Sequence, residues 1–289
     1  MRKGADMKSL TDTYELNNGS CIPCVGFGTW QTPDDEVGYN AVRKALDAGY
    51  RHIDTAAIYK NEETVGRAIA DSGIPRNEIF LTSKIWGDDY GYESAKKAFE
   101  TSLEKLGTSY LDLYLMHWPN PAKFRDRWQE TNAATWKAME ELYKDGRIKA
   151  IGVSNFMIRH LEELSQTWEI TPMVNQVKLC PGDTKDELIE FCRSHDILPE
   201  AYSPLGTGKV FSVPRIKELA QKYNVSVARL CIRWSLQMGY LPLPKSVTPE
   251  YIEDNANVFN FDISESDVRD IANLTHCCGK PRNPDEVPW

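Results

Sequence analysis

The sequence predicts an α/β protein, a (β/α)8 TIM barrel preceded by an N-terminal β-hairpin. Three observations carry this expectation. Eight short apolar runs alternate with amphipathic helical stretches, as parallel strands buried on both faces do when helices cover them. Eight such units fit the roughly 250 residues that a β/α barrel takes, out of a chain of 289. An open doubly wound sheet, the rival, should carry a dinucleotide fingerprint, and none is visible. Gly26 and Gly28 lack the third glycine and a helix directly behind, and "GTGK" at 206–209 lacks the earlier glycine that a P-loop needs.

Taken in order, "TYELNNGSCIPC" gives two alternating runs around Asn18-Gly19, the strongest short hairpin signal. "CVGFGT" is the first barrel strand. "DDEVGYNAVRKALDAGY" has acids in its first turn, apolar residues at Val37, Ala41, Ala45 and Ala48, and a Gly49 stop, so it reads as a helix with proper ends. It leads into "RHIDTA". Next come "IFLTSKIW" with a helix over 93–106, "YLDLYLMHW" with a helix over 132–144, and "IKAIGVSNF" with a helix over 158–167. "MVNQVKL" precedes a helix over 185–194, "ILPEAYSP" precedes helices over 214–223 and 226–238, and "YLPLPKS" precedes one over 250–257. No internal repeat, low-complexity tract or linker interrupts the pattern, so residues 1–289 are expected to form one barrel domain.

Composition narrows the function. Acidic residues outnumber basic ones 42 to 34, for a net charge of -8, and no Lys/Arg-dense run is present. Nucleic acid and anionic membranes are therefore excluded as expected partners. No apolar stretch approaches the roughly 18 residues that would span a bilayer, and "MRKGADMKSLTDT" has no apolar core behind its basic residues, so a cytoplasmic location is expected. Of seven cysteines, Cys21 and Cys24 form a lone C-x-x-C without a second ligand pair, and are read as buried reduced thiols. Cys277 and Cys278 are read as packing residues. No metal site is expected, and no heptad or apolar stripe argues for assembly, so a monomer is expected.

In a β/α barrel, function gathers at the C-terminal strand ends. The polar residues there are Asp54, Lys84, His117, Ser154, Asn155, Gln176, Tyr202, Ser203, Lys245 and Ser246, with Tyr59 in the loop after Asp54. Alternation puts Leu111, Leu113, Leu115 and His117 on one face, pointing into the barrel. Singly, each has a plain structural reading: an ion pair, a rim histidine, a packed tyrosine. Together they make an acid–base site. A phenol serves as a general acid toward a carbonyl if its pKa, near 10 unperturbed, is brought toward neutrality, and a nearby ammonium favours phenolate. A carboxylate then keeps that ammonium charged despite burial. Asp54 and Tyr59 make sense if Lys84 lies between them, with His117 donating a hydrogen bond to the substrate oxygen.

The segments "GFGTWQ", "DAGYRHIDTAAIYKNEETVG", "LTSKIW", "LDLYLMHWP", "IGVSNF", "NQV", "AYSPLG" and "PKSVTPE", in this order, resemble the aldo-keto reductases over nearly the whole chain. The resemblance implies an eight-stranded barrel that binds a nicotinamide cofactor without a Rossmann domain and reduces aldehydes and ketones. It implies Tyr59 as proton donor, Lys84 and Asp54 as its tuning pair, and His117 as the group orienting the carbonyl. Tyr202 would stack on the nicotinamide, and Ser154, Asn155 and Gln176 would hold its carboxamide. Ser203, Leu205 and Gly206 would line the pyrophosphate, with Gly28 and Thr29 also among the cofactor-binding residues. Lys245 and Ser246 would meet the adenosine 2'-phosphate, and Tyr251, Asp254 and Asn255 fall at positions beside it and the adenine.

One departure stands out. The family usually has an arginine where this chain has Tyr251. Tyrosine stacks but carries no cation, so NADPH is the expected cofactor with a weakened preference over NADH. Trp30, Trp86 and Trp118 follow Thr29, Lys84 and His117 closely, which suggests an aromatic wall around the carbonyl. The segments 119–131, 204–213 and 279–289 are the expected pocket loops. The short loop after Pro204 resembles that of the microbial branch with diketogluconate reductases and protozoan prostaglandin F synthases. The expected substrate is a small-molecule carbonyl compound, whether aldehyde, α-keto aldehyde or keto-sugar. Two other readings stand beside this one: a Schiff-base lyase using Lys84, which the adjacent Asp54 argues against, and a cofactor-binding regulatory subunit without significant turnover.

Overall fold

The structure, a computed structural model, describes residues 6–279 and 282–289. The chain's first residues, read above for a leader, and part of the 279–289 tail lie outside the described residues. The strands are β1 (Thr13–Glu15), β2 (Cys21–Pro23), β3 (Phe27–Gly28), β4 (His52–Asp54), β5 (Phe80–Ile85), β6 (Leu113–Met116), β7 (Ile151–Ser154), β8 (Val174–Lys178), β9 (Leu198–Tyr202) and β10 (Leu241–Leu243). The helices are α1 (Glu36–Asp47), α2 (Glu62–Ala70), α3 (Tyr92–Leu106), α4 (Trp128–Lys144), α5 (Ile158–Ser165), α6 (Asp186–Ser194), α7 (Pro214–Lys222), α8 (Val227–Gln237), α9 (Pro249–Ala256) and α10 (Glu265–Ala272).

β3 to β10 pair in sequence order, all parallel. The ring closes where Gly26 N donates to Pro242 O and Gly28 N to Pro244 O, each at 3.0 Å. The eight-stranded barrel read from the sequence is therefore the fold. β1 and β2 form the expected hairpin, with Glu15 opposite Cys21. It caps the N-terminal end of the barrel: Tyr14 Oη bonds Tyr240 O just before β10, Asn17 bonds Pro172 O before β8, and Asn18 bonds Lys149 O before β7. The polar strand-end residues singled out in the sequence lie at the opposite, C-terminal end. A groove beside the hairpin, lined by Thr13, Leu16, Cys21 and Asp196, holds none of the residues singled out above.

Local signals account for the elements. Asp35 caps α1 through its side chain, accepting from Val37 N and Gly38 N. Gly107, at φ +62°, closes α3 in the left-handed conformation that costs glycine least. Two helices were not foreseen, α2 and α10. α2 carries Glu62, Glu63 and Arg67 beside buried Val65, Ala68 and Ile69, a stripe too short to stand out by period. It lies against α3, where Gly66 meets the Leu106 backbone so closely that a Cβ would sit 2.4 Å from Leu106 O. One expectation needs correcting: all seven cysteines are free, but Cys21 is exposed, because β2 alternates and turns Ile22 inward instead.

Candidate active site

The polar groups at the C-terminal strand ends converge inside the barrel mouth. Asp54 ends β4 and pairs in register with Thr82, two residues before Lys84 on β5. Lys84 is fully buried, and its ammonium lies 2.7 and 2.8 Å from the two Asp54 carboxylate oxygens and 2.8 Å from Thr55 O. Those three acceptors match its three protons. The Tyr59 hydroxyl is further away, at 3.5 Å, and the ammonium sits 5.0 Å from that ring's centroid.

Tyr59 lies in a 3-10 turn, Ala57–Tyr59, rather than on a strand. Asn61 locks this turn to the neighbouring loop. It donates to Thr29 O and Thr32 O, both at 2.9 Å, and accepts from the Thr55 hydroxyl at 2.8 Å. Thr29 in turn bonds Asp54 O through both its backbone and its hydroxyl. The loop holding the phenol is thus tied to the strands holding the carboxylate and the lysine.

His117 follows β6 atop the Leu111–Leu113–Leu115 column, all three leucines being fully buried. Its ring meets Tyr59 edge to face at 5.7 Å and Trp86 at 5.4 Å. Its Nδ1 is buried and has no partner among the described residues. Burial, then the Lys84 charge, push the imidazole well below its usual range, so it is neutral at pH 7. The Tyr59 phenol goes the opposite way from the expectation stated above. Burial first, then the Asp54 charge and, once it ionises, that of Glu200, hold it well above its ordinary value. Burial dominates, and Lys84, whose protons go to Asp54 and Thr55, stands too far off to offset it.

A chain of amides joins the remaining strands. Gln176 Nε2 donates to Asp54 Oδ2 and to Glu200 Oε2, both at 2.8 Å, while Ser154 Oγ donates to Gln176 O at 2.8 Å. Asn155, left-handed at φ +63°, donates to His117 O at 3.0 Å and accepts from the Tyr202 hydroxyl at 2.8 Å. Ser203 at φ +49° and Gly206 at φ +55° bracket the turn that contains Leu205, where Gly206 N bonds Ser203 O. A second group gathers beyond β10. Lys245 is half-buried and bonds Gln31 O at 3.2 Å, and Ser246 Oγ accepts from Thr248 N at 3.1 Å. On α9, Tyr251 is 64% exposed, Asp254 accepts from the Ser226 hydroxyl, and Asn255 is buried.

The aromatic wall is only partly as expected. Trp86 and Trp118 come together, but through Trp289 at the chain's end, whose ring lies 6.4 Å from one and 5.7 Å from the other. Trp30 is 43% exposed and stands outside that cluster. The tail carrying Trp289 is pinned by Ala122 N on Trp289 O and by Asp285, which accepts from Asn120 and Arg159 and lies 3.0 Å from the His160 imidazole. Glu200 was missed altogether. Its signal was an acid inside an apolar strand, two residues before Tyr202 and hence on the same face.

Residues 24–276 match the family model described as the Aldo/keto reductase family, and the chain belongs to that family of oxidoreductases. It is 46% identical to a glyoxal reductase of Bacillus subtilis over 279 residues, covering 96% of this chain and 98% of that one. It is also 46% identical to a 9,11-endoperoxide prostaglandin H2 reductase of Trypanosoma cruzi, with 90% of each covered. Among solved structures it resembles a Bombyx mori aldo-keto reductase in complex with NADP, at a TM-score of 0.84 and 33% identity, covering 94% of each chain. The family and the microbial and protozoan likeness expected from the sequence are those found.

Proposed function

We propose that the chain, as one barrel domain, is an NADP(H)-dependent reductase that converts aldehydes or ketones to alcohols. The observation that carries this reading is the meeting of Tyr59, Lys84 and His117: a phenol 3.5 Å from a buried ammonium and edge to face with a neutral imidazole whose Nδ1 is unpaired. When bound, a reduced nicotinamide supplies the hydride. The chain's own work is to hold the carbonyl and give its oxygen a proton.

Tyr59 acts as the acid. A phenol held well above its ordinary pKa keeps its proton at neutral pH and surrenders it only to a strong base, which a developing alkoxide is. Asp54 orients Lys84 and keeps it charged. His117, neutral, gives a hydrogen bond to the same carbonyl oxygen without competing as an acid. Trp86, Trp118 and Trp289 exclude water from one side of the site. The protonated phenol serves carbonyl reduction, and its phenolate serves the reverse oxidation of the alcohol.

The residues present fit a nicotinamide dinucleotide phosphate. The donor set suits a phosphate, because the half-buried Lys245 with Ser246 offers a cation and a hydroxyl. Ser154, Asn155 and Gln176 would hold the carboxamide and Tyr202 the ring face. Ser203, Leu205 and Gly206 with Gly28 and Thr29 would line the path between, and Tyr251, Asp254 and Asn255 would border the adenine. The NADP complex of the Bombyx mori relative supports this choice. Tyr251 in place of a cation leaves NADH usable. The test is cofactor consumption over a panel of aldehydes, dicarbonyls and keto-sugars, with binding measured separately. Cofactor binding with no turnover on any carbonyl would refute the reading.

A further inference from the structure

Beneath the Lys84–Asp54 pair lies a second layer of titratable groups. Glu200 on β9 has no exposed surface. Its Oε2 accepts from Gln176 Nε2 at 2.8 Å, and the same nitrogen donates to Asp54 Oδ2 at 2.8 Å. One amide group thus spends its two protons on two carboxyl groups. The other Glu200 oxygen, Oε1, has no hydrogen-bond partner among the described residues and lies 3.6 Å from His52 Nε2. His52 Nε2 is 3.0 Å from the Thr82 hydroxyl, and its Nδ1 is likewise unpaired.

The groups facing Glu200 are few. β4 contributes Asp54 and His52, β5 contributes Lys84, and the turn after β4 contributes Tyr59; β8 presents the neutral Gln176, and β10 sets Leu241 opposite it in register. Burial, then the Asp54 charge, push the Glu200 carboxyl up to about 8, against the Gln176 hydrogen bond and Lys84. Burial, then Lys84, bring His52 down to about 3. Burial thus favours the uncharged form of both, against an ion pair at this approach.

We propose that Glu200 is a positioning residue for the proton transfer: through the Gln176 amide it shares with Asp54, its charge decides how firmly Tyr59 holds its proton. This rests on the reductase reading above. The sign is electrostatic, since Asp54 and Glu200 when ionised each raise the Tyr59 phenol. A neutral Glu200 leaves the phenol facing the Asp54 charge alone. An anionic Glu200 adds a second negative charge, which makes the phenol harder to ionise and keeps it in the acid form as the medium becomes alkaline. The device would hold reduction steady across the pH range in which an unaided phenol begins to lose its proton.

The experiment compares pH profiles of carbonyl reduction and alcohol oxidation for the wild type and Glu200→Gln, which preserves shape and removes the charge. The alkaline fall of reduction and the alkaline rise of oxidation are both expected about half a pH unit or more earlier in the variant. Coincident profiles, or a uniform loss of rate with the profile unmoved, would overturn the proposal and leave the reductase reading intact. A wild type without turnover would sink the reductase reading, and the relay with it. Infrared difference spectra of the wild type serve as a second measurement that does not depend on the variant folding. A buried carboxylic C=O band persisting well above the usual carboxyl range and lost at more alkaline pH is expected, and its absence would overturn the proposal.

Discussion

Lys84→Met removes the ammonium, keeps most of the apolar stem, and leaves Asp54 buried with its charge. Asp54 is 3% exposed and Lys84 fully buried, so water cannot replace the lost partner. Of the contacts to the Asp54 carboxylate described above, two at 2.7 and 2.8 Å disappear and the Gln176 bond at 2.8 Å remains. Breaking a buried pair from one side costs about 3 to 5 kcal/mol. With an unfolding entropy of about 2.1 cal/mol/K per residue over 289 residues, that is a fall in Tm of roughly 5 to 8 °C. Adding Asp54→Asn removes the stranded charge, and the double variant should recover at least about 2 kcal/mol of the loss. Urea midpoints and thermal melts followed by circular dichroism give both numbers. A single variant within about 1 kcal/mol of the wild type, or a double variant no more stable than the single one, would refute the claim that this is a tightly bound buried pair.

Gly66→Ala should destabilise the protein by about 1 to 3 kcal/mol or more, since the added Cβ would meet backbone atoms of Leu106 at 2.4 to 2.7 Å that cannot swing aside. An unchanged melting curve would mean that α2 and α3 pack less closely than described. Tyr251→Arg restores a cation at an exposed position and should raise the NADPH-to-NADH ratio of kcat/KM about tenfold, the lower end for a charge-assisted phosphate contact. A ratio that does not move would place the phosphate elsewhere.

The barrel was legible because its signals are periodic and repeated. Eight buried strands alternate with helices, and Asn18-Gly19 marks the hairpin turn without help from tertiary contacts. The strand-end rule brought out Asp54, Lys84, His117, Ser154, Asn155, Gln176 and Tyr202, which the structure draws into one hydrogen-bonded set, with Asn155 linking Tyr202 and the His117 carbonyl to Ser154. What stayed hidden depends on which groups compete for one another. Lys84 was expected to lower the Tyr59 phenol, yet its protons go to Asp54 and Thr55, and no sequence spacing reveals that division. Glu200 escaped because a strand-end reading stops at Tyr202 and does not ask what lies one layer down. Trp289 escaped as a wall residue because its place beside Trp86 and Trp118 is set by tail anchors, Asp285 above all, that lie more than a hundred residues away from their partners Asn120, Arg159 and His160.

The proposed delivery of a proton by Tyr59 to a carbonyl reduced by a nicotinamide cofactor is tested most directly by single-turnover consumption of NADPH with an aldehyde that the wild type accepts, in the wild type and in Tyr59→Phe, with cofactor affinity measured by fluorescence titration. Loss of the general acid should slow the reductive step by about 10² to 10⁴ while NADPH affinity stays within a few-fold. A Tyr59→Phe variant that reduces the aldehyde at the wild-type rate would contradict the account.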